Sequence, residues 1–232
     1  MSHTIVVIPL RGLHGGKSRL SPVLDPVQRT TMIAALASLV VGAVVKSNVA
    51  DAIIVVSREP ALLSSIELRH PMISLVKQAE ESIGLNAALN AGREAALRSN
   101  ADRLLVVSAD LPLLTPVELA RMLEIEDDVI FAPDRCGRGT NALSLRGRDR
   151  ISRFQFQFGP ESRRLHVAEA SRLGLDHSTF EARGFALDLD TPDDWAMLTP
   201  DMQRGLLARQ VPDRCSSIEV ASVGAMAVLE PA

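Results

Sequence analysis

The sequence predicts an α/β protein with a mostly parallel central sheet and helices on both faces. Three observations predict it. Residues 4–9 (TIVVIP), 52–56 (AIIVV) and 104–107 (LLVV) are short continuous aliphatic runs, the pattern of strands buried on both faces. Helix-length segments separate them, as parallel strands require. The longest of these segments, Pro26–Ser47, opens with Asp25 as N-cap and Pro26 in the first turn.

Taken in order, Pro9 ends the first strand, the long helix follows, and residues 52–56 complete a βαβ unit. A short helix over 60–69, a weaker strand at 73–76, a helix over 85–99 and the strand at 104–107 continue the alternation. Beyond Asp110 come a helix over 116–123 and a strand at 129–132. Residues 134–153 then read as a Gly- and Arg-rich loop segment. Phe154, Phe156 and Phe158 alternate with glutamines, which predicts one apolar strand face. A helix over 160–173, a last strand at 185–188 and a final helix opening at Asp190-Thr191-Pro192 close a single domain over 1–200. Residues 201–232 lack clear periodicity and read as a C-terminal extension.

Composition narrows the function classes. The chain has 232 residues, 47% hydrophobic and 23% charged, which excludes disorder. A net charge of -3 and a pI near 6.0 argue against general nucleic-acid binding. Cys136 and Cys215 form no CxxC pair, so neither a zinc knuckle nor a disulfide framework is expected, and a reducing cytoplasm is. No secretory signal is visible, and the apolar run at 32–45 is too short to span a bilayer, so no membrane partner is expected.

Three clusters suggest chemistry. The loop at 11–19 (RGLHGGKSR) follows a buried strand, where open α/β sheets present N–H groups and cations to phosphates. Only three lysines occur, and one of them, Lys17, stands here. Lys17 and Arg19 would neutralise a triphosphate, with Gly15 and Gly16 allowing close approach. Walker A spacing and GxGxxG are both absent, and a solvated turn is the bland alternative. Asp110 follows the strand at 104–107. Asp188 and Asp190, two residues apart at another strand end, complete a possible carboxylate set for one magnesium ion. Asp110 as a turn cap is the alternative. Asp193 and Asp194 suit the first turn of the following helix.

The third cluster spans 135–164, with eight arginines against Asp149 and Glu161. It implies an anionic small molecule, held by Ser162 and the N–H groups of its helix start with Thr140 opposite. RNA is the weaker reading, since no RNP1 pattern is present. The histidines show no HExxH spacing and no GxSxG elbow occurs, which removes metalloprotease and α/β-hydrolase chemistry. His166, four residues past Ser162, lies on the same helix face.

Lys17-Ser18-Arg19-Leu20, Asp110-Leu111-Pro112, Ala132-Pro133-Asp134-Arg135 with Gly139-Thr140-Asn141, Phe158-Gly159 with Ser162, and Leu187-Asp188-Leu189-Asp190-Thr191-Pro192 occur in one order. Over residues 4–198 this resembles the 2-phospho-L-lactate or phosphoenolpyruvate guanylyltransferase family of deazaflavin coenzyme biosynthesis. The resemblance implies a nucleotide-diphospho-sugar transferase-like fold, GTP as donor, magnesium as cofactor and a phosphorylated three-carbon acid as acceptor. Thr140, Gly159 and Ser162, with Asn141 beside them, match acceptor-binding positions. Asp110, Asp188 and Asp190 match the acidic metal positions, and Lys17 the loop lysine. Lys17, Asp110 and Asp190 would carry catalysis, and Gly84 and Asn86 would lie against guanine. The doubled Gly15-Gly16 departs from the family pattern. Another nucleotidyltransferase of this fold, acting on a sugar phosphate or molybdopterin-type acceptor, and a non-catalytic GTP sensor are the rivals.

Overall fold

A computed structural model describes residues 3–10, 16–58, 70–79, 81 and 83–208. The helix expected over 60–69, Gly15, and residues 209–232 of the expected extension lie outside these residues.

The seven strands of the described sheet are β1 (Thr4–Leu10), β2 (Ala52–Ser57), β3 (Ile73–Lys77), β4 (Arg103–Val107), β5 (Val129–Pro133), β6 (Thr140–Arg146) and β7 (His177–Thr179). Their spatial order is β3-β2-β1-β4-β6-β5-β7. β6 alone runs against its neighbours, pairing antiparallel with β4 and β5, while β1 to β4 are mutually parallel and β7 is parallel to β5. This reversal positions the site. It brings the first residues of β6, Thr140 and Asn141, to the edge where the other strands have their carboxyl ends.

The described helices are α1 (Pro26–Ser47), α2 (Leu85–Arg98), α3 (Pro116–Glu124), α4 (Arg148–Arg153), α5 (Ser162–Arg172), α6 (Arg183–Ala186), α7 (Pro192–Ala196) and α8 (Pro200–Leu207). The strands bury alternate residues on opposite faces. Val6, Ile8, Ile53, Val55, Leu105 and Val107 meet Met32, Leu36 and Val40 of α1 and Leu119 of α3 on one face. Ile5, Val7, Ile54, Val56, Leu104 and Val106 meet Leu89 and Ala95 of α2 and Ala170 of α5 on the other. Gly92 lets α2 approach closely, since a Cβ there would stand 2.5 Å from Val7 Cγ1.

α1 begins as its sequence dictates: Asp25 accepts from the Gln28 N–H, and the Gln28 side chain accepts in return. The helix has 22 residues and a most apolar window of mean hydropathy 1.7, so by length and composition alone it would reach across a bilayer. Ten of its residues are instead buried in the core, from Met32 to Val44.

Four expectations are corrected. Residues 134–153 are not all loop but contain β6 and α4. Residues 154–158 form no ladder, although Phe154 and Phe156 are buried. Phe154 N donates to Arg150 O, while Gln155 N donates to Glu169 Oε1 (3.0 Å) and Gln157 N to His166 Nε2 (3.0 Å). The strand expected at 185–188 is absent, because Phe185 and Ala186 belong to the short helix α6, and the edge strand is β7 instead. Residues 201–207, expected in the extension, belong to α8, whose Leu206 is buried in the core.

Candidate active site

The site lies where the strand order reverses. β1 and β4 are neighbours whose connections leave in opposite directions, the crevice in which open α/β sheets bind ligands. Lys17 follows β1 and Asp110 follows β4. The Lys17 backbone is in the left-handed region (φ 54°), held by Leu20 N donating to Lys17 O (2.9 Å), while Leu20 is fully buried and anchors the turn. A non-glycine residue held there stores about 1 kcal/mol of backbone strain.

Lys17 Nζ donates to Asp110 Oδ2 and to Asp190 Oδ1. Burial pushes its ammonium down, but the two carboxylates outweigh this and hold the group above the ordinary lysine value. Asp190 reaches Lys17 without a strand beneath it. Leu187 and Leu189 are buried, Leu189 N donates to Asp110 O (3.1 Å), and the alternating aspartates face the crevice side. Thr191 and Asp194 cap α7 as expected, Asp194 Oδ2 accepting from Asp190 N and Thr191 N. Arg135 pairs with Asp194 (2.8 Å) and steadies the same turn.

Asp188 is held differently. Burial first, then the neighbouring Asp110 charge, pushes its carboxyl above the ordinary value, and Asn141 Nδ2 donates to its Oδ1 at 3.3 Å. Asn141 also donates to Phe185 O (2.8 Å). Its side-chain N–H groups thus orient Asp188 and α6.

The three aspartates gather only in part. Among the described residues no three His, Cys, Asp or Glu side chains form a group that holds a metal ion unaided. The lysine ammonium stands between two of the carboxylates. The residues nonetheless suit a further cation: among the described residues, Asp110 Oδ1 is buried without a hydrogen-bond partner and Asp188 has no basic partner.

On the nucleotide side, Gly16 is half-buried, and Arg19 is exposed with no ion pair among the described residues. Gly84 caps α2 at φ 104° with open space where a Cβ would stand. Asn86 departs from expectation. Its Oδ1 accepts from Phe158 N (2.8 Å) and its Nδ2 donates to Phe158 O (3.0 Å), so the carboxamide pairs with backbone across the cleft and does not lie free for a base.

That clasp holds the other half of the site. Gly159 follows at φ 138° with nothing within 4 Å of a Cβ position. Ser162 N donates to Gly159 O (3.1 Å), and the Ser162 side chain is buried with no hydrogen bond among the described residues. Thr140, also buried, lies 3.1 Å from His166 Nδ1 through its Oγ1. Burial lowers the His166 imidazole to about 4, the Glu169 charge opposing only weakly. Phe158 stands edge-on to the ring at 4.7 Å. Sequence reasoning placed His166 on the correct face but found no partner for it. The only signal was its spacing of four from Ser162.

The expected arginine excess does not converge on the site. Arg146, Arg150 and Arg135 pair with Glu126, Asp128 and Asp194 from outside that stretch, and Arg153 with Asp149. Arg148 and Arg163 donate to carbonyls. A cavity of about 370 Å³ is lined by Asp134, Arg135, Gly137 and Arg183 and not by Asp110, Asp188 or Asp190.

The profile of the family described as guanylyl transferase CofC like matches residues 4–200. The chain belongs to this guanylyltransferase family. It is an enzyme that transfers a guanylyl group. It is 38% identical over 195 residues to the phosphoenolpyruvate guanylyltransferase of Rubrobacter xylanophilus, covering 83% of this chain and 91% of that protein. Identity is also 38% to the protein of that name from Sphaerobacter thermophilus, over 82% of this chain and 90% of the relative. The 2-phospho-L-lactate guanylyltransferase of Methanosphaera stadtmanae is 28% identical, over 84% of this chain and 82% of the relative. The fold of the guanylyltransferase is that of the nucleotide-diphospho-sugar transferases. It is similar to a candidate member from Desulfovibrio desulfuricans G20 (TM-score 0.66, 13% identity, 82% of this chain and 84% of that one). A nucleotidyl transferase from Methanothermobacter thermautotrophicus is similar too (TM-score 0.62, 18% identity, 88% and 99%).

Proposed function

We propose that this enzyme takes GMP from GTP and places it on the phosphate of phosphoenolpyruvate, releasing pyrophosphate, in deazaflavin coenzyme biosynthesis in the cytoplasm. The observation that carries the choice of acceptor is the 38% identity to two relatives named for phosphoenolpyruvate, against 28%, 29% and 31% to three named for 2-phospho-L-lactate.

An acceptor phosphate is already anionic at neutral pH, so no general base is required. Its oxygen attacks the α-phosphorus in line, the new P–O bond forms, and the bond to the β-bridging oxygen breaks with its electron pair leaving on pyrophosphate. Catalysis is then positioning and charge neutralisation. Lys17, pinned between Asp110 and Asp190, presents a fixed positive charge beside the reacting phosphates. Thr140, the Gly159 backbone and Ser162 hold the acceptor at the start of α5, where helix N–H groups favour an anion. Asp110 and Asp188 would hold magnesium, which supplies charge neutralisation on the triphosphate. The orphaned Asp110 Oδ1 supports that assignment.

The test is pyrophosphate release from GTP and magnesium with phosphoenolpyruvate, 2-phospho-L-lactate or 3-phosphoglycerate added separately, with and without chelator. Release with phosphoenolpyruvate alone, abolished by chelator, is expected. Release with another acid, or release that chelator leaves unchanged, overturns the acceptor or the metal.

A further inference from the structure

Beside Thr140 lies a group that the transfer chemistry does not use. His166 is fully buried on α5, with Phe131 stacked at 6.2 Å, Phe154 at 5.9 Å and Phe158 edge-on. Both ring nitrogens are engaged. The Gln157 backbone N–H, which can only donate, points at Nε2 (3.0 Å). Nε2 must therefore offer a lone pair, because an imidazolium would set two N–H groups against each other. The one ring proton of the neutral imidazole then sits on Nδ1. Nδ1–H faces Thr140 Oγ1 at 3.1 Å and donates to it. A threonine hydroxyl that accepts there still carries its own proton, and among the described residues no oxygen receives it.

We propose that His166 is a positioning residue of the acceptor site: fixed as the Nδ1–H tautomer by the Gln157 amide, it donates to Thr140 Oγ1 and obliges that hydroxyl to donate to an anionic oxygen of the acceptor. This rests on the reading above that the acceptor binds at Thr140. It adds a rule of selection. A carboxylate or phosphate oxygen at this point accepts the proton; a group that offers only N–H finds no lone pair suitably aimed. The low basicity that burial imposes on the ring agrees with the geometry. The same imidazole clasps Gln157, next to Phe158-Gly159, so one side chain sets both the hydroxyl and the loop facing it.

The experiment has two arms. In the unmodified protein, long-range 15N–1H correlation of the imidazole between about pH 5.5 and 8 is expected to show Nδ1 protonated and Nε2 bare. The opposite tautomer, or an imidazolium, overturns the proposal, and this reading needs no substrate. In steady-state kinetics with GTP and phosphoenolpyruvate, His166→Gln keeps an acceptor for Gln157 but loses the donor to Thr140. It is expected to raise the acceptor KM about tenfold, the loss of one hydrogen bond to a charged group, with kcat and the GTP KM within about twofold. His166→Asn, which restores an N–H near Nδ1, recovers most of that loss. Thr140→Val gives a similar rise, and adding His166→Gln to it costs nothing further. Additive losses, or no rescue by Asn, overturn the coupling. If the histidine variants do not fold, Thr140→Ser against Thr140→Val carries the kinetic arm: equal KM values overturn it. If no acid supports pyrophosphate release, the acceptor reading fails, and the tautomer still decides the proton arrangement.

Discussion

The two ends of the cleft hold their side chains by opposite means. At the β1–β4 edge, Asp110 and Asp190 hold one ammonium between them with Asp188 close to Asp110, and among the described residues Asp110 keeps a buried oxygen unpaired. At the α5 corner, Thr140, Ser162 and His166 are neutral, buried and ringed by phenylalanines. The first end is organised by charge left uncompensated, the second by the direction of individual protons. Charge is the appropriate tool for a triphosphate that must be neutralised. Direction suits a small acid that must be distinguished from its analogues.

Breaking the charged end should produce the largest effect. Asp110→Asn removes one partner of Lys17 and the orphaned carboxylate together, and kcat for pyrophosphate release should fall about a thousandfold with the thermal melt retained. A loss below tenfold would refute the central role of Asp110.

Acid should break the neutral end. His166 is neutral in the fold with a value of about 4, against 6.5 for an ordinary histidine, so the unfolded chain binds more protons between those limits. Stability is therefore full above about pH 6.5 and declines as pH falls toward 4, by about 3 kcal/mol at most. Glu169, held below the usual carboxylate value by Arg172, adds loss in the same direction. Denaturant melts from pH 7 to pH 4 should show this slope, and His166→Gln should flatten it.

Asp188→Asn sharpens the contrast, because it removes a charge that burial disfavours. Activity should drop about a hundredfold while stability rises by about 1 kcal/mol, a trade that no substitution in the α5 corner should reproduce. Chemical denaturation beside a turnover assay measures both. The smallest expected effect is at the bridge between the ends. Asn86→Ala should raise the acceptor KM about fivefold and leave the GTP KM within twofold, whereas a residue lying against guanine would show the reverse.

Much of the frame was readable because it depends on local chemistry. Aliphatic runs marked β1, β2 and β4, and Asp25-Pro26 marked α1, since burial on both faces and capping leave their own residue signatures. β6 hid because its buried residues include Thr140, Asn141 and Ser144, polar side chains whose partners lie elsewhere in sequence. Asp188 and Asp190 were expected to share a face at a spacing of two. They keep their alternation with buried Leu187 and Leu189, but one hydrogen bond to Asp110 O replaces the ladder. Asn86 lies in the first turn of α2, a helix its sequence announces, but its partner Phe158 is 72 residues away and leaves no local signal. The arginine cluster misled for a similar reason: a count along the chain omits the carboxylates that folding brings alongside.

The reversed strand has a consequence for synthesis on the ribosome. β1 to β4 pair among themselves within the first 107 residues, so this parallel half can assemble while the rest of the chain is still being made. Until β6 emerges, β4 presents an open hydrophobic edge of the kind that invites association. Lys17 meets its first carboxylate 93 residues later and its second only after 173. The nascent enzyme thus passes several seconds, at ~10 residues per second, with a sheet edge unpaired and its central lysine half-neutralised, until β6 closes the first and Asp190 the second.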